Sequence, residues 1–281
     1  IVGAGMAGLA CARTLQDAGV PFLLFDSDEE VGGRVRTDEV NGYRLDRGFQ
    51  VLLTAYPEAQ KFLDYDALDL KACYPGSRVW FGARFHRVAD PFRHPIDGIM
   101  SLVNPIGSLL DKIRVGLMRT GLRSTKSMPD DLSTLDALSK LGFGPAMIDR
   151  FWKPFMRGVF LENELSTTVR KFEETFRLFA LGDTVLPRLG IGELPKQIAG
   201  KLPKDSLALG TEITKVEQRA IESADGKRFE GRAVVLATDI DPANRLLGIE
   251  TKPGQWNAVD CLYFSLPTDQ LPTSEPILHL D

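Results

Sequence analysis

Cysteine is scarce in these 281 residues: Cys11, Cys73 and Cys261 are far apart, odd in number and never arranged as Cys-x-x-Cys. Their scarcity excludes a disulfide framework and a zinc cluster, and predicts a reducing, cytoplasmic setting. The three histidines, His86, His94 and His279, lack metal-ligand spacing, so no metal site is expected. No run reaches the roughly 18 apolar residues that cross a bilayer. Positive charge is not in excess either. The 34 Lys and Arg against 38 Asp and Glu leave a formal net charge of -4, which sets nucleic acid aside as a partner. There is no Ser/His/Asp set and no pair of carboxylates at a spacing suited to acid–base work. No residue is assigned as catalytic.

The start of the chain is informative. Ile1-Val2 reads as the stub of a strand running into Gly3-Ala4-Gly5-Met6-Ala7-Gly8. A helical pattern follows through Leu9, Ala12, Leu15 and Gln16 and stops at Gly19. Val20 to Phe25 is a short apolar run suited to a buried parallel strand, and it ends on Asp26. Together these make the βαβ unit of a dinucleotide-binding domain. Gly3 allows the tight turn, Gly5 lets backbone approach a pyrophosphate, and Gly8 lets helix and strand pack closely. The helix N-terminus at Met6 and Ala7 offers N–H groups to the anion. Asp26, with Ser27 beside it, stands 18 residues after Gly8, where a carboxylate accepts hydrogen bonds from the adenosine ribose.

An NAD dehydrogenase needs nothing special beyond that acid, yet Gly32-Gly33-Arg34 follows, with Arg36 and Thr37 behind it. A glycine pair lets backbone pass close to a ligand, and a guanidinium pairs with phosphate oxygens through its planar fork. With "IVGAGMAGLACA", Asp26 and "VGGRVRT", the sequence resembles the FAD-dependent amine oxidase superfamily, which includes monoamine oxidases, protoporphyrinogen oxidases and phytoene desaturases. The resemblance implies an α/β fold with a Rossmann-like, discontinuous FAD-binding domain and an inserted, mainly helical substrate domain. It assigns the ribose to Asp26 and the phosphate region of FAD to Arg34. "LDRGFQ", residues 45–50, is similar to the segment beside the flavin, which makes Gly48, Phe49 and Gln50 candidates for that neighbourhood. "LPRLGIGELPKQIAGKL", residues 186–202, is similar to the segment that returns to the cofactor domain, with Gly190 and Gly192 in its turn and a helix at Leu194 to Leu202. "LGTEITKVE" looks like the strand that meets adenine, through Ile213, and Ala233 to Leu236 reads as a buried strand ending at Ala237-Thr238.

On this reading residues 1–50 with 184–242 form the FAD domain, and 51–183 with 243–281 the substrate domain. Leu132, Leu135, Leu138 and Leu141 recur at helical spacing, as do Val169, Phe172, Phe176 and Phe179 after an N-cap at Ser166 or Thr167. The aromatic stripe is either core or the wall of an apolar cavity. "FWKPFMRGVF", residues 151–160, holds Pro154, expected to kink or end a helix; it resembles the desaturase-like branch and points to a lipophilic small-molecule substrate. Residues 98–128 carry five bases and one acid. They read first as a solvated amphipathic helix packed on its own domain, and second as a peripheral membrane contact. Residues 255–266 look like a strand of the substrate domain. The family's late Gly-Asp segment has no counterpart after Thr238, so the chain is expected to be truncated at its C-terminus. Lys252 matches the family's flavin-side lysine too poorly to be assigned. The expected function is an FAD-dependent oxidoreductase that oxidises or dehydrogenates an apolar or amine-bearing small molecule by hydride transfer. The alternatives are a non-redox polyene isomerase and a flavin-binding protein without turnover.

Overall fold

The computed structural model describes residues 1–250, 256–271 and 273–281. Helix α1 (Met6–Asp17) starts directly after Gly5 and buries Gly8, Leu9 and Ala12 on one face. Gly19, at φ +65°, takes the left-handed turn that ends it. Of the buried strand expected over Val20 to Phe25 only β1 (Leu24–Phe25) forms; both its residues are buried, as befits a parallel strand covered on two sides, while Pro21 and Leu23 are exposed. β2 (Thr37–Val40) and β3 (Tyr43–Asp46) form a hairpin. Its Asn41-Gly42 turn has both residues at positive φ, the geometry this dipeptide favours.

Residues 52–89 depart from the expected helical insertion, being built from β4 (Leu52–Leu53), α2 (Pro57–Phe62), β5 (Leu70–Ala72), β6 (Gly76–Phe81) and β7 (Arg84–Ala89). β6 and β7 pair antiparallel across Gly82-Ala83, at φ +60° and +62°. An alanine at positive φ carries no turn signature comparable to Asn-Gly. Trp80 and Phe85, exposed and packed edge to face at 4.9 Å, also disturb the apolar–polar alternation that marks a strand.

From 95 to 181 the chain is helical as expected, through α3 (Pro95–Leu102), α4 (Leu109–Arg119), α5 (Thr134–Lys140), α6 (Pro145–Met147), α7 (Lys153–Phe160) and α8 (Val169–Leu181). Pro154 does not end a helix. A π-turn at Ile148–Trp152 leads into α7, and the proline sits in the first turn of α7; the wider turn before it relieves the clash a proline ring makes with the preceding carbonyl. The N-cap of α8 is Thr168, not Ser166 or Thr167. Those two residues donate their N–H groups to the Glu162 carboxylate at 3.0 and 2.7 Å, a stronger acceptor than a hydroxyl. Leu138, Leu141, Phe143, Met147, Trp152, Met156 and Phe172 share one apolar core. Phe172 and Phe176 lie 5.4 and 5.8 Å from the Trp152 ring, and Phe179 lies 5.3 Å from Phe155. Phe172 of the aromatic stripe is packed core, with Phe176 and Phe179 half-buried at its edge.

The chain returns through β8 (Thr184–Pro187), α9 (Glu193–Ala199), β9 (Leu207–Ala208), β10 (Ile213–Val216), β11 (Ala220–Ser223), β12 (Arg228–Glu230), α10 (Ile240–Leu247) and β13 (Leu278–Leu280). β8 lies between β4 and β5, antiparallel to both. β9 pairs parallel with β1, Phe25 with Val2, and Val2 with Leu236, which gives a parallel layer in the spatial order 208, 25, 2, 236. One face of this layer buries Ala4, Leu9, Leu24 and Ile198, with α9 packed on α1. The other buries Val2, Phe25, Ile213 and Ile221 against the β10–β11–β12 sheet. Leu24 and Phe25 thus serve opposite cores, the two-sided burial that makes such strands uniformly apolar. Leu52, Leu63 and Leu68 join the first core, so packing ties residues 52–68 to the cofactor segments.

Two carboxyl-terminal expectations change. The buried strand expected at Ala233 to Leu236 does not form: only Leu236 pairs, in an isolated bridge to Val2, and Ala233 and Val235 are exposed, which leaves the segment covered on one face only. Residue 255 lies outside the described residues; residues 256–266 form no strand, and the third strand of the β6–β7 sheet is β13. Side chains hold the segment instead: Tyr263 Oη donates to the Asp46 carbonyl at 2.6 Å, and Asn257 Nδ2 to the Phe160 carbonyl at 3.3 Å. Lys252 lies outside the described residues.

Candidate cofactor site

Three segments meet at the amino end of α1. The glycine loop bridges to the Gly-Gly-Arg segment through Gly5 and Gly32, and Gly32 N–H donates to the Ala4 carbonyl at 2.9 Å. Ala237 N–H donates to the Val2 carbonyl at 2.8 Å, which sets Ala237 and Thr238 behind Gly3. A Cβ on Gly3, itself at φ +107°, would lie 2.8 Å from the Ala237 carbonyl oxygen, one on Gly8 1.8 Å from the Gly3 oxygen, and one on Gly32 2.4 Å from the Val35 oxygen. No side chain fits at any of the three. Gly5 is different: nothing lies within 4 Å of where its Cβ would be, so the space beside the helix start is open.

That open space faces an uncapped helix end. Gly5 is the N-cap of α1, it supplies no capping hydrogen bond, and the first turn holds no acid. The N–H groups of Met6, Ala7 and Gly8 are therefore left for an external acceptor at the positive end of the helix. Asp26 closes β1: its Oδ2 accepts Ala4 N–H at 2.5 Å and its Oδ1 accepts Asp28 N–H at 2.9 Å. Each oxygen keeps a lone pair for a ribose hydroxyl, and Ser27 beside it is exposed. Thr211 N–H donates to the Asp26 carbonyl at 2.7 Å, which brings the start of β10 next to the acid. The Ile213 side chain is buried among Val2, Phe25 and Ile221, so only its backbone is available to a ligand.

The two arginines behind the glycine pair have different environments. The Arg34 side chain is 78% exposed and reaches Asp239 at 3.1 Å. The Arg36 side chain is 13% exposed and donates to Asp28 Oδ2 at 2.8 Å. Arg34 is the exposed guanidinium and Arg36 the structural one. Gln50 Nε2 donates to the carbonyls of Arg34 and Arg47, both at 2.8 Å, which lays residues 48–50 along the Gly-Gly-Arg loop. Gly48 turns at φ +83° and the Phe49 ring is 66% exposed. Arg47 grips Asp38 bidentately at 2.8 and 2.9 Å, and these hydrogen bonds hold the Asp38 carboxyl below its ordinary value.

Residue-by-residue sequence reading misses the latch that docks the returning segment. Thr37 Oγ1 donates to Asp46 Oδ1 at 2.6 Å; the same carboxylate oxygen accepts Ile191 N–H at 2.9 Å, and Thr37 Oγ1 accepts Gly192 N–H at 2.9 Å. A Cβ on Gly190, at φ +98°, would stand 2.4 Å from Thr37 Oγ1. Both Thr37 and Asp46 stand inside quoted motifs, but nothing in their spacing pairs them across a hairpin with residue 191. The site as a whole offers N–H donors and open space for a diphosphate, a carboxylate for a ribose, and an exposed ring and backbone edge near Gln50. It fits a dinucleotide.

The sequence pattern of the flavin containing amine oxidoreductases matches residues 6–267. The chain is 29% identical over 161 residues to protoporphyrinogen oxidase 2, chloroplastic/mitochondrial, of Arabidopsis thaliana, a stretch covering 56% of this chain and 31% of that protein. It is 32% identical over 99 residues to phytoene desaturase of Neurospora crassa, covering 32% of this chain and 17% of that one. A structure of putrescine oxidase, a cofactor-binding redesign, superposes with a TM-score of 0.62 at 19% identity, over 87% of this chain and 58% of that chain; this is a likeness of fold. The matches thus span about a third or less of the length of these curated relatives. The family pattern runs through almost the whole chain and takes in the helix start, the acid and the Gly-Gly-Arg loop of the site: the chain belongs to the flavin containing amine oxidoreductase family, and its cofactor is FAD.

Proposed function

We propose that the protein to which this chain belongs oxidises or dehydrogenates a lipophilic or amine-bearing small molecule with FAD as the electron acceptor. The observation that carries this reading is the convergence of the open Gly5 cradle, Asp26 and the exposed Arg34 at one helix end, in a chain matched by the family pattern over residues 6–267. Bound flavin supplies the redox chemistry by accepting two electrons from the substrate. The residues of this chain hold the diphosphate at Met6–Gly8, pair the ribose with Asp26 and place Arg34 against phosphate oxygens. Gly48 to Gln50 border the ring, with Ile213 contributing backbone on the adenine side and Ala237-Thr238 closing the loop from behind. The lipophilic preference draws on the likeness to a protoporphyrinogen oxidase and a phytoene desaturase. The three free, half-buried cysteines suit a reducing compartment such as the cytoplasm.

Anaerobic mixing of the flavin-loaded protein with amines, porphyrinogens and carotenoid precursors tests the proposal. One class should bleach the oxidised flavin absorption in step with product formation. Product formed without any flavin reduction would instead indicate isomerisation, and retained flavin without turnover of any of the three classes would indicate a binding protein. The family match favours oxidoreduction over both.

A further inference from the structure

The α3–α4 hairpin is amphipathic the wrong way round for a helix pair packed in water. On α3 the apolar stripe Ile96, Ile99, Met100 and Val103 follows the i, i+3, i+4, i+7 spacing of a buried face, yet these residues are 79%, 65%, 65% and 82% exposed. The face turned to the protein is small and polar. A Cβ on Gly98 would stand 2.4 Å from Pro91, and Ser101 Oγ bonds Ala89 N–H and the carbonyls of Arg87 and Asp97. On α4, Asp111 is buried at the capping box while Leu109, Leu110 and Ile113 are exposed. Lys112 Nζ donates to the carbonyls of Leu102 and Asn104 at 3.0 and 2.6 Å, which ties the first turn of α4 to the end of α3, so the two stripes adjoin.

The unpaired charge around this face is positive. Residues 84–128 hold eight Lys and Arg against three Asp, and Arg87 and Arg93 pair in addition with Glu275 and Asp183 from outside the stretch. All three acids point inward: Asp90 pairs with Arg119, Asp97 with Arg87 and Asp111 with Arg114. Lys112 and Arg123 bond neutral carbonyls and keep their charge uncompensated. Arg84 is exposed and lines a shallow groove of about 340 Å³ with Met100 and Val103, and Lys126 is exposed. The exposed face is mainly aliphatic, with Phe85 alone adding an aromatic ring in the groove, and it has a cationic border; protein interfaces are usually anchored by several aromatic and hydrogen-bonding side chains. That combination matches an acyl layer beneath anionic headgroups.

We propose that the α3–α4 hairpin docks the protein on the surface of an anionic phospholipid bilayer, with Ile96, Ile99, Met100, Val103, Leu109 and Leu110 entering the interface. This is independent of the redox reading, and the test needs no substrate. The flavin-loaded protein is floated with vesicles of phosphatidylglycerol mixed with phosphatidylcholine, and with vesicles of phosphatidylcholine alone. The protein should float with the mixed vesicles, less at high salt and less with the neutral ones. The I99D/V103D variant, altered only at exposed positions, should keep its Tm and bind at least about tenfold more weakly. R84E/K126E should lose the preference for anionic vesicles. Wild-type protein that stays unbound, or I99D/V103D that binds as well as wild type, would overturn the proposal. So would a wild-type dimer that I99D/V103D converts to monomer without vesicles, because the face would then join two copies of the chain.

Discussion

At residue scale, the glycines of the loop divide into those that pack and the one that leaves space. Gly8→Ala forces a Cβ to 1.8 Å from the Gly3 oxygen, so the loop must move. We expect destabilisation of about 1–3 kcal/mol together with loss of FAD, read by thermal denaturation and by flavin absorbance per protein. The arginines divide in the same manner. Arg34→Ala removes an exposed guanidinium held by a single ion pair, so the Tm of the FAD-stripped protein should hold while FAD retention falls. Arg36→Ala breaks the pair with the half-exposed Asp28, so it should cost about 1 kcal/mol and release less FAD than Arg34→Ala. Equal FAD retention in the two variants would remove Arg34 from the phosphate region.

At the scale of elements, the π-turn and α7 stand on Trp152, which is fully buried against Phe143, Phe151, Phe172 and Phe176. Its Nε1 has no acceptor among the described residues. Trp152→Phe deletes that unpaired donor along with some packing and should cost under about 1.5 kcal/mol. Trp152→Ala leaves a cavity and should cost about 3–5 kcal/mol; denaturant midpoints separate the two. Helix α4 is attached through Asp111. Burial alone would raise the Asp111 carboxyl, but hydrogen bonds from Ser108, Gly144 and Arg114 outweigh it and hold the group below its ordinary value. The stability this gives is complete above the ordinary carboxylate value and drains away as pH falls through the lower, folded-state value. Asp111→Asn should therefore be less stable at neutral pH and lose less on acidification, measured as unfolding free energy from pH 7 downward. Elements with strong local signatures were legible in the sequence. α1 has its glycine stop, β2–β3 its Asn-Gly turn, and α8 its aromatic period. β6–β7 was not legible, because Ala83 turns at positive φ without a turn residue's signature and Trp80 and Phe85 face outward.

At the scale of the molecule, the chain builds one cofactor cradle from segments as far apart in sequence as Val2 and Leu236, with Val2 carrying both Phe25 and Leu236 as neighbours. The two-sided burial of Leu24 and Phe25 was legible in the apolar run, but its limits were not, since Leu23 in the same run is exposed. The Thr37–Asp46 latch on residues 191 and 192 was not, since a hydrogen bond across such a separation leaves no periodic trace. Packing of Leu52, Leu63 and Leu68 into the cofactor-side core likewise has no local signature, because a leucine reads the same against either layer. The central claim is that the open space at Gly5 receives the diphosphate of FAD. The direct measurement is to purify the wild-type protein and Gly5→Val, record Tm, then denature each and identify and quantify the released nucleotide. Wild type should release stoichiometric FAD, and Gly5→Val, with nothing within 4 Å of its new Cβ, should match the Tm of FAD-stripped wild type and release almost none. Release of NAD, no FAD from wild type, or equal FAD from both proteins would contradict the account.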